Sequence, residues 1–142
     1  MIVLDTNVLI YAADEHSQRY GKVRAWMQRA LDDGEIFGVP WASLLGFVRI
    51  TTLPSILAKP LSVEQALAYV EQLLGSPQSF VILDSGSQHY PGFARLLRSA
   101  GIAGNLTNDA HIASVALANG GRLATFDRDF SRFDGIQIII PD

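Results

Sequence analysis

Residues 1–14 read MIVLDTNVLIYAAD. "MIVLD" is a short β-branched and apolar run that ends in an acid, the pattern of a buried strand. "TNVLIYAAD" follows with no loop between. Thr6 or Asn7 can cap a short helix there, because their side chains accept from free backbone N–H groups. A strand that runs straight into a helix leaves Asp5 at the junction. The rest of the chain decides whether that junction is an isolated turn or one corner of a sheet with helices on its faces.

The alternation continues. Residues 17–33 place Tyr20, Val23, Trp26, Met27, Ala30 and Leu31 at helical spacing, and Gly34 stops the run. "EIFGVP" reads as a strand. "WASLLGFVRITT" (41–52) reads as a buried helix ended by Pro54, with Trp41, Leu44, Leu45, Phe47 and Ile50 as core. Pro60 precedes "LSVEQALAYVEQLL", where Ser62 and Gln65 have capping-box spacing and Gly75 and Pro77 end the run. "FVIL" (80–83) reads as a second buried strand, and "PGFARLLRSA" as a helix with Pro91 near its first turn. "GIAGNLTN" is a loop before the helix "DAHIASVALANGG", capped by Thr107 or Asn108. "RLATF" and "IQIII" close the chain as strands. This order implies an α/β fold of three layers, α/β/α, around a central, mainly parallel sheet. Residues 1–142 suit a single domain with a real core.

Composition narrows the function. Apolar residues make up 49% of the chain and charged residues 18%, which excludes a disordered binder. The net charge of −3 is wrong for nucleic-acid binding by broad neutralisation. A phosphate ligand would need a local attractor such as a metal ion. The absence of cysteine rules out disulfides and thiolate metal sites. No apolar run approaches membrane-spanning length, and the N-terminus lacks the basic segment of a signal peptide, so a cytoplasmic protein is expected.

In a parallel sheet, ligands bind outside the carboxyl ends of the strands. Asp5 ends the first strand. Asp127 follows "RLATF", with Asp129 two residues on, and Asp109 opens a late helix. Singly, Asp109 fits a helix N-terminus and "DRD" a solvated turn. Together, acids from three segments at element junctions point to a shared site. Such a cluster needs a countercharge, and a hard cation with oxygen ligands is the natural one: Mg²⁺ or Mn²⁺. Two such ions could flank a phosphodiester. Zinc is disfavoured, since His16, His89 and His111 lack a metal-ligand pair spacing, and His111 fits a capping or rim role.

"VLDTNVLIY" at the start and "GNLTNDAHIASVALANGGRLATFDRDFSRF" near the end resemble the PIN-domain ribonucleases. More narrowly, the chain is similar to VapC toxins of bacterial toxin–antitoxin pairs. The resemblance spans essentially the full length. It implies a Mg²⁺- or Mn²⁺-dependent endoribonuclease cutting structured RNA, tRNA or rRNA. It also implies a VapB-like antitoxin that wraps the toxin and obstructs the acidic pocket, a homodimer, and a larger hetero-oligomer with the antitoxin. By matching position, Asp5, Asp109 and Asp127 are the metal-binding and catalytic acids, and Asp129 is a frequent additional acid. Asn7 and Thr125 resemble the polar residues that support the pocket. Many family members carry a glutamate on the third helical segment. Gly46 corresponds to it, although a branch with a similar "FVRIT" segment also lacks this acid. The gap motivates an alternative, a catalytically weak module that binds RNA or the antitoxin. Arg49, Arg128 and Arg132 are candidate phosphate contacts, and Arg49 also fits a snorkelling residue or an ion pair with a nearby acid. A phosphatase using Asp5 as nucleophile, of the haloacid-dehalogenase type, is disfavoured. It would want a second acid where Asn7 stands and a late lysine, but Lys59 is the last.

Overall fold

β1 (Ile2–Leu4) forms the centre of a five-stranded sheet in the computed structural model, which describes residues 1–142. Its neighbours are β2 (Phe37–Pro40) and β4 (Arg122–Ala124); β3 (Ser79–Ile82) and β5 (Ile138–Ile139) form the edges, giving the order β3-β2-β1-β4-β5. Every pairing is parallel. The register sets Leu4 opposite Ala124, so the residues that follow, Asp5 and Thr125, leave the sheet side by side.

Six helices cover the two faces: α1 (Thr6–Ala13), α2 (Tyr20–Asp32), α3 (Trp41–Thr51), α4 (Val63–Leu74), α5 (His89–Ala100) and α6 (Leu106–Ala118). The strand period of two sorts the core. Ile2, Leu4, Phe37, Val39 and Ala124 point to one face, with Val8 and Leu9 of α1, Val23 of α2, Phe47 of α3 and Ala66 of α4. Val3, Ile82 and Leu123 point to the other, with Leu96 of α5, Ile112 and Val115 of α6, and Phe130 and Phe133. At the amino end of the sheet, Glu35 pairs with Arg122 and with the N-terminal amine, tying β2 to β4 across β1. No helix is long and apolar enough to cross a membrane.

Several expected details differ. The N-cap of α1 is Asp5, not Thr6 or Asn7: its side chain accepts from the Thr6 backbone N–H. α6 begins at Leu106, so Thr107 and Asn108 lie inside its first turn rather than capping it. α2 begins at Tyr20, three residues after Ser17. The capping box of Ser62 and Gln65 is present as expected. α3 is only half core. Leu44 and Phe47 are buried and Ile50 is partly so, but Trp41 and Leu45, one turn apart, are 55% and 64% exposed. β3 is likewise half exposed, because it is an edge strand with Phe80 facing outward; Leu83, expected within the strand, lies just past its end and is also exposed.

Gly46 lies where α3 crosses α1. A Cβ at this position would stand 2.9 Å from Thr6 Cγ2 and 3.0 Å from Thr6 Oγ1, closer than real contacts allow. Glycine is therefore what lets α3 approach the turn that carries Asp5. We expect Gly46→Ala to forfeit the helix-propensity gain of about 1 kcal/mol that this change brings in open helices, and to gain it back in a Thr6→Ala background. Thermal melts of the four proteins in the cycle measure this. Equal stabilisation by Gly46→Ala in both backgrounds would contradict the steric account.

Candidate active site

The chain crosses the sheet from β1 to β2 to β3, then returns to the far side of β1 to add β4 and β5. The crevice at that reversal, outside the carboxyl ends of β1 and β4, is where such sheets bind ligands. Asp5 and Thr125 stand at that edge, just past the paired Leu4 and Ala124.

Asp5 is 5% exposed and held by three hydrogen bonds. Its Oδ1 accepts from the Thr6 N–H at 2.6 Å; its Oδ2 accepts from Asn7 Nδ2 at 2.8 Å and from the Thr125 hydroxyl at 2.6 Å. A carboxylate offers about four lone-pair positions, so Oδ1 keeps one for a further ligand. Burial pushes the Asp5 carboxyl above its ordinary range. The bonds from Thr125, Thr6 and Asn7 oppose that, and the nearby charge of Asp127 reinforces it.

The Thr125 hydroxyl is fully used. It donates to Asp5 and accepts from Asn7 Nδ2 at 3.2 Å and from the Asp127 N–H at 2.9 Å. Asn7 Oδ1 accepts from the Phe126 N–H at 3.2 Å. Asn7 and Thr125 thus lock the end of β1 to the end of β4. Asp127 begins the 3₁₀ turn Arg128–Arg132, its Oδ1 accepting from the Asp129 N–H at 2.9 Å.

Asp109 arrives from the first turn of α6 and is half buried. Burial, and then the charges of Asp5, Asp127 and Asp129, together raise its pKa to about 6; every neighbouring charge acting on it is negative. The structure therefore brings Asp5, Asp109, Asp127 and Asp129 within electrostatic reach of one another. They do not form a closed cage, for no three His, Asp or Glu side chains are placed to enclose an ion. An all-oxygen donor set with unbonded lone pairs and unbalanced negative charge suits a hydrated hard cation, which needs only one or two direct carboxylates. The residues present fit Mg²⁺ or Mn²⁺ in that sense.

The arginines divide. Arg132 is paired with Asp129 at 3.6 Å, while Arg49 and Arg128 are exposed and form no ion pair, so Arg49 is not held by a neighbouring acid. Arg19 escaped sequence reasoning. Its guanidinium lies 4.3 Å from the centre of the Phe126 ring and 5.5 Å from that of Tyr11, at the residue between Thr125 and Asp127. A histidine pair was also missed. His89 Nε2 and His111 Nδ1 are 2.8 Å apart, joining α5 to α6. Burial and then the neighbouring His89 ring hold the His111 pKa below its usual value, with Asp84 opposing. Neither feature has a sequence signal, since both depend on segments distant in sequence meeting in space.

The PIN domain family model matches residues 2–136. Ribonuclease VapC37 of Mycobacterium tuberculosis is 34% identical over 137 residues, covering 96% of this chain and 94% of the relative. Ribonuclease VapC33 of the same species is 32% identical, covering 99% and 98%. Among solved structures, VapBC2 from Rickettsia felis bound to a DNA fragment from its promoter superposes with a TM-score of 0.68 at 22% identity, covering 98% of both chains.

The shift on Asp109 has a testable sign. Its carboxyl is protonated more readily in the folded than in the unfolded chain. Its contribution to stability is therefore greatest below the unfolded value of 3.8, declines as the pH rises to about 6, and stays low above that. In EDTA at pH 8, Asp109→Asn is expected to melt ~3 °C above the wild type, about 1 kcal/mol after discounting for the half-exposed position. The gap should close as the pH falls towards 4. A lower melting temperature for the variant at pH 8 would contradict the charge-repulsion account.

Proposed function

The chain belongs to the PIN-domain family, within its VapC ribonucleases, and from that premise we propose a divalent-cation-dependent endoribonuclease acting as the toxin of a toxin–antitoxin pair. The observation that carries this reading is the meeting of four carboxylates from three segments at the carboxyl edge of the sheet, with Asp5 fixed by Thr125 and Asn7. The substrate is structured RNA, tRNA or rRNA.

Asp5 and Asp109 hold the cation, and Asp127, assisted by Asp129, orients the attacking water. A cation bound here would neutralise the phosphodiester and acidify water at neutral pH. Asn7 and Thr125 keep the Asp5 carboxylate in one orientation. Carboxylates whose charges raise one another's pKa also bind a cation more readily than isolated ones, since the ion relieves the repulsion. This resolves the mismatch between an acidic protein and a polyanionic substrate. Arg49 and Arg128, exposed and unpaired, are free to meet RNA phosphates, and Arg132 would do so by leaving Asp129.

The partner is a VapB-like antitoxin that covers the acidic pocket. A homodimer is supported by the exposed Trp41 and Leu45 on one face of α3, an apolar pair that a second copy would cover. The binder-only alternative draws on Gly46, which leaves α3 without a carboxylate. The tight contact with Thr6 gives that glycine a packing reason of its own.

Purified protein incubated with total RNA separates the readings. Wild type with Mn²⁺ should cut at discrete sites and stop in EDTA. Asp5→Asn should reduce cutting to background. Asn7→Ala and Thr125→Val should lower it by roughly 10–100-fold, as loss of an orienting hydrogen bond does. Undiminished cutting by Asp5→Asn would sink the assignment, and metal-independent binding without cutting would favour the binder.

A further inference from the structure

A cavity of about 660 Å³ opens between the first turns of α5 and α6, lined by His89, Tyr90, Phe93, Asn105, Asn108 and His111, among others. Most of its lining residues carry polar groups, but the surface they present is mainly apolar, and none of them is a carboxylate, lysine or arginine. Three features distinguish it from an ordinary surface dent.

The first is a graded aromatic wall. His89 and Phe93 are stacked with ring centres 6.1 Å apart, Tyr90 and Phe93 are 6.5 Å apart, and the Tyr90 ring is 67% exposed. The second is a pair of uncommitted amides. Asn105 is the N-cap residue of α6 but makes no side-chain capping bond, and Asn108 lies exposed in the following turn. The third is an unsatisfied atom in the histidine pair, since His89 Nδ1 is buried with no partner. Such an atom costs stability, so the fold alone does not explain the pair.

Position supplies the ligand. Asn105 and Asn108 precede Asp109 by four and one residues on the same helix, so the cavity lies within about one helical turn of that acid along α6. An uncharged recess with an aromatic wall and free amides matches a nucleobase rather than a phosphate. Unpaired RNA bases are recognised by stacking on aromatic side chains and by hydrogen bonds to their edges. Asparagine amides can donate and accept at once, which suits base edges.

We propose that this cavity receives an unpaired base of the RNA beside the scissile phosphate, stacked on Tyr90 and read by Asn105 and Asn108. The proposal rests on the RNA-hydrolysis reading above. Tyr90 and the two asparagines then determine where the RNA is cut, while the carboxylates perform the hydrolysis.

The test begins by mapping wild-type cuts on total RNA with Mn²⁺ and making an oligoribonucleotide that spans one cut. Abasic residues are placed singly at the positions flanking it. Wild type should lose roughly tenfold or more in kcat/KM at one abasic position. Tyr90→Ala and Asn108→Ala should lose a similar factor on the intact oligonucleotide, and little more on that abasic one. Tyr90→Phe should retain the wild-type response. Absence of any wild-type cut would overturn the hydrolysis reading itself. A wild-type cut with no abasic-sensitive position, or variants as abasic-sensitive as wild type, would overturn the base pocket alone. Conversion of a wild-type dimer to a monomer by Tyr90→Ala, with cutting preference unchanged, would overturn it too by assigning this face to a second copy.

Discussion

The hydrogen bond from the Thr125 hydroxyl to Asp5 Oδ2 joins the two strand ends on which the site is built. It exists because β1 and β4 are parallel neighbours in register, with Leu4 opposite Ala124. It also depends on the chain reversing direction across the sheet at that seam. Asn7 closes the same seam from the other side by bonding both Asp5 and the Phe126 backbone. A buried carboxylate with three donors is costly to desolvate but fixed in orientation. That is the compromise a ligand-holding acid requires.

The other acids are arranged around this fixed point with little compensation, since Arg132 is the one cation paired with any of them. Asp127 is steadied by a backbone bond, Asp129 leans on Arg132, and Asp109 has only negative neighbours. Repulsion of this kind lowers stability and persists only where something outside the chain relieves it. In the proposed function, a divalent cation and the phosphate it attracts would do so. The cavity beside α6 adds an uncharged surface next to the charged centre, and in the proposed reading it separates recognition from hydrolysis.

Much of the fold was legible because both signals were strong. The strand segments MIVL, RLATF and IQIII have no helical competitor, and the helices carry caps such as Ser62 with Gln65. The acids were legible as strand-end and helix-start residues once a parallel sheet was inferred. What remained hidden depended on contacts distant in sequence. Asp5 as the N-cap of α1 was obscured because it reads as the last residue of the strand, which left Thr6 and Asn7 as the cap candidates. The start of α6 at Leu106 was obscured by the polar Thr107 and Asn108, which look like caps but are helical. Trp41 and Leu45 looked like core because hydrophobicity alone does not say which side of α3 meets the sheet. Gly46 looked like a missing acid, whereas its closeness to Thr6 shows a packing role that no local pattern reveals.

The central claim is that these carboxylates act as one cation site anchored by Asp5. Direct titration of the purified protein with Mn²⁺, followed by electron paramagnetic resonance of the free ion, tests it without reference to any substrate. The account predicts saturable binding by the wild type, loss of that binding in Asp5→Asn, and weakening in Asp109→Asn. Equal Mn²⁺ binding by all three proteins would contradict it.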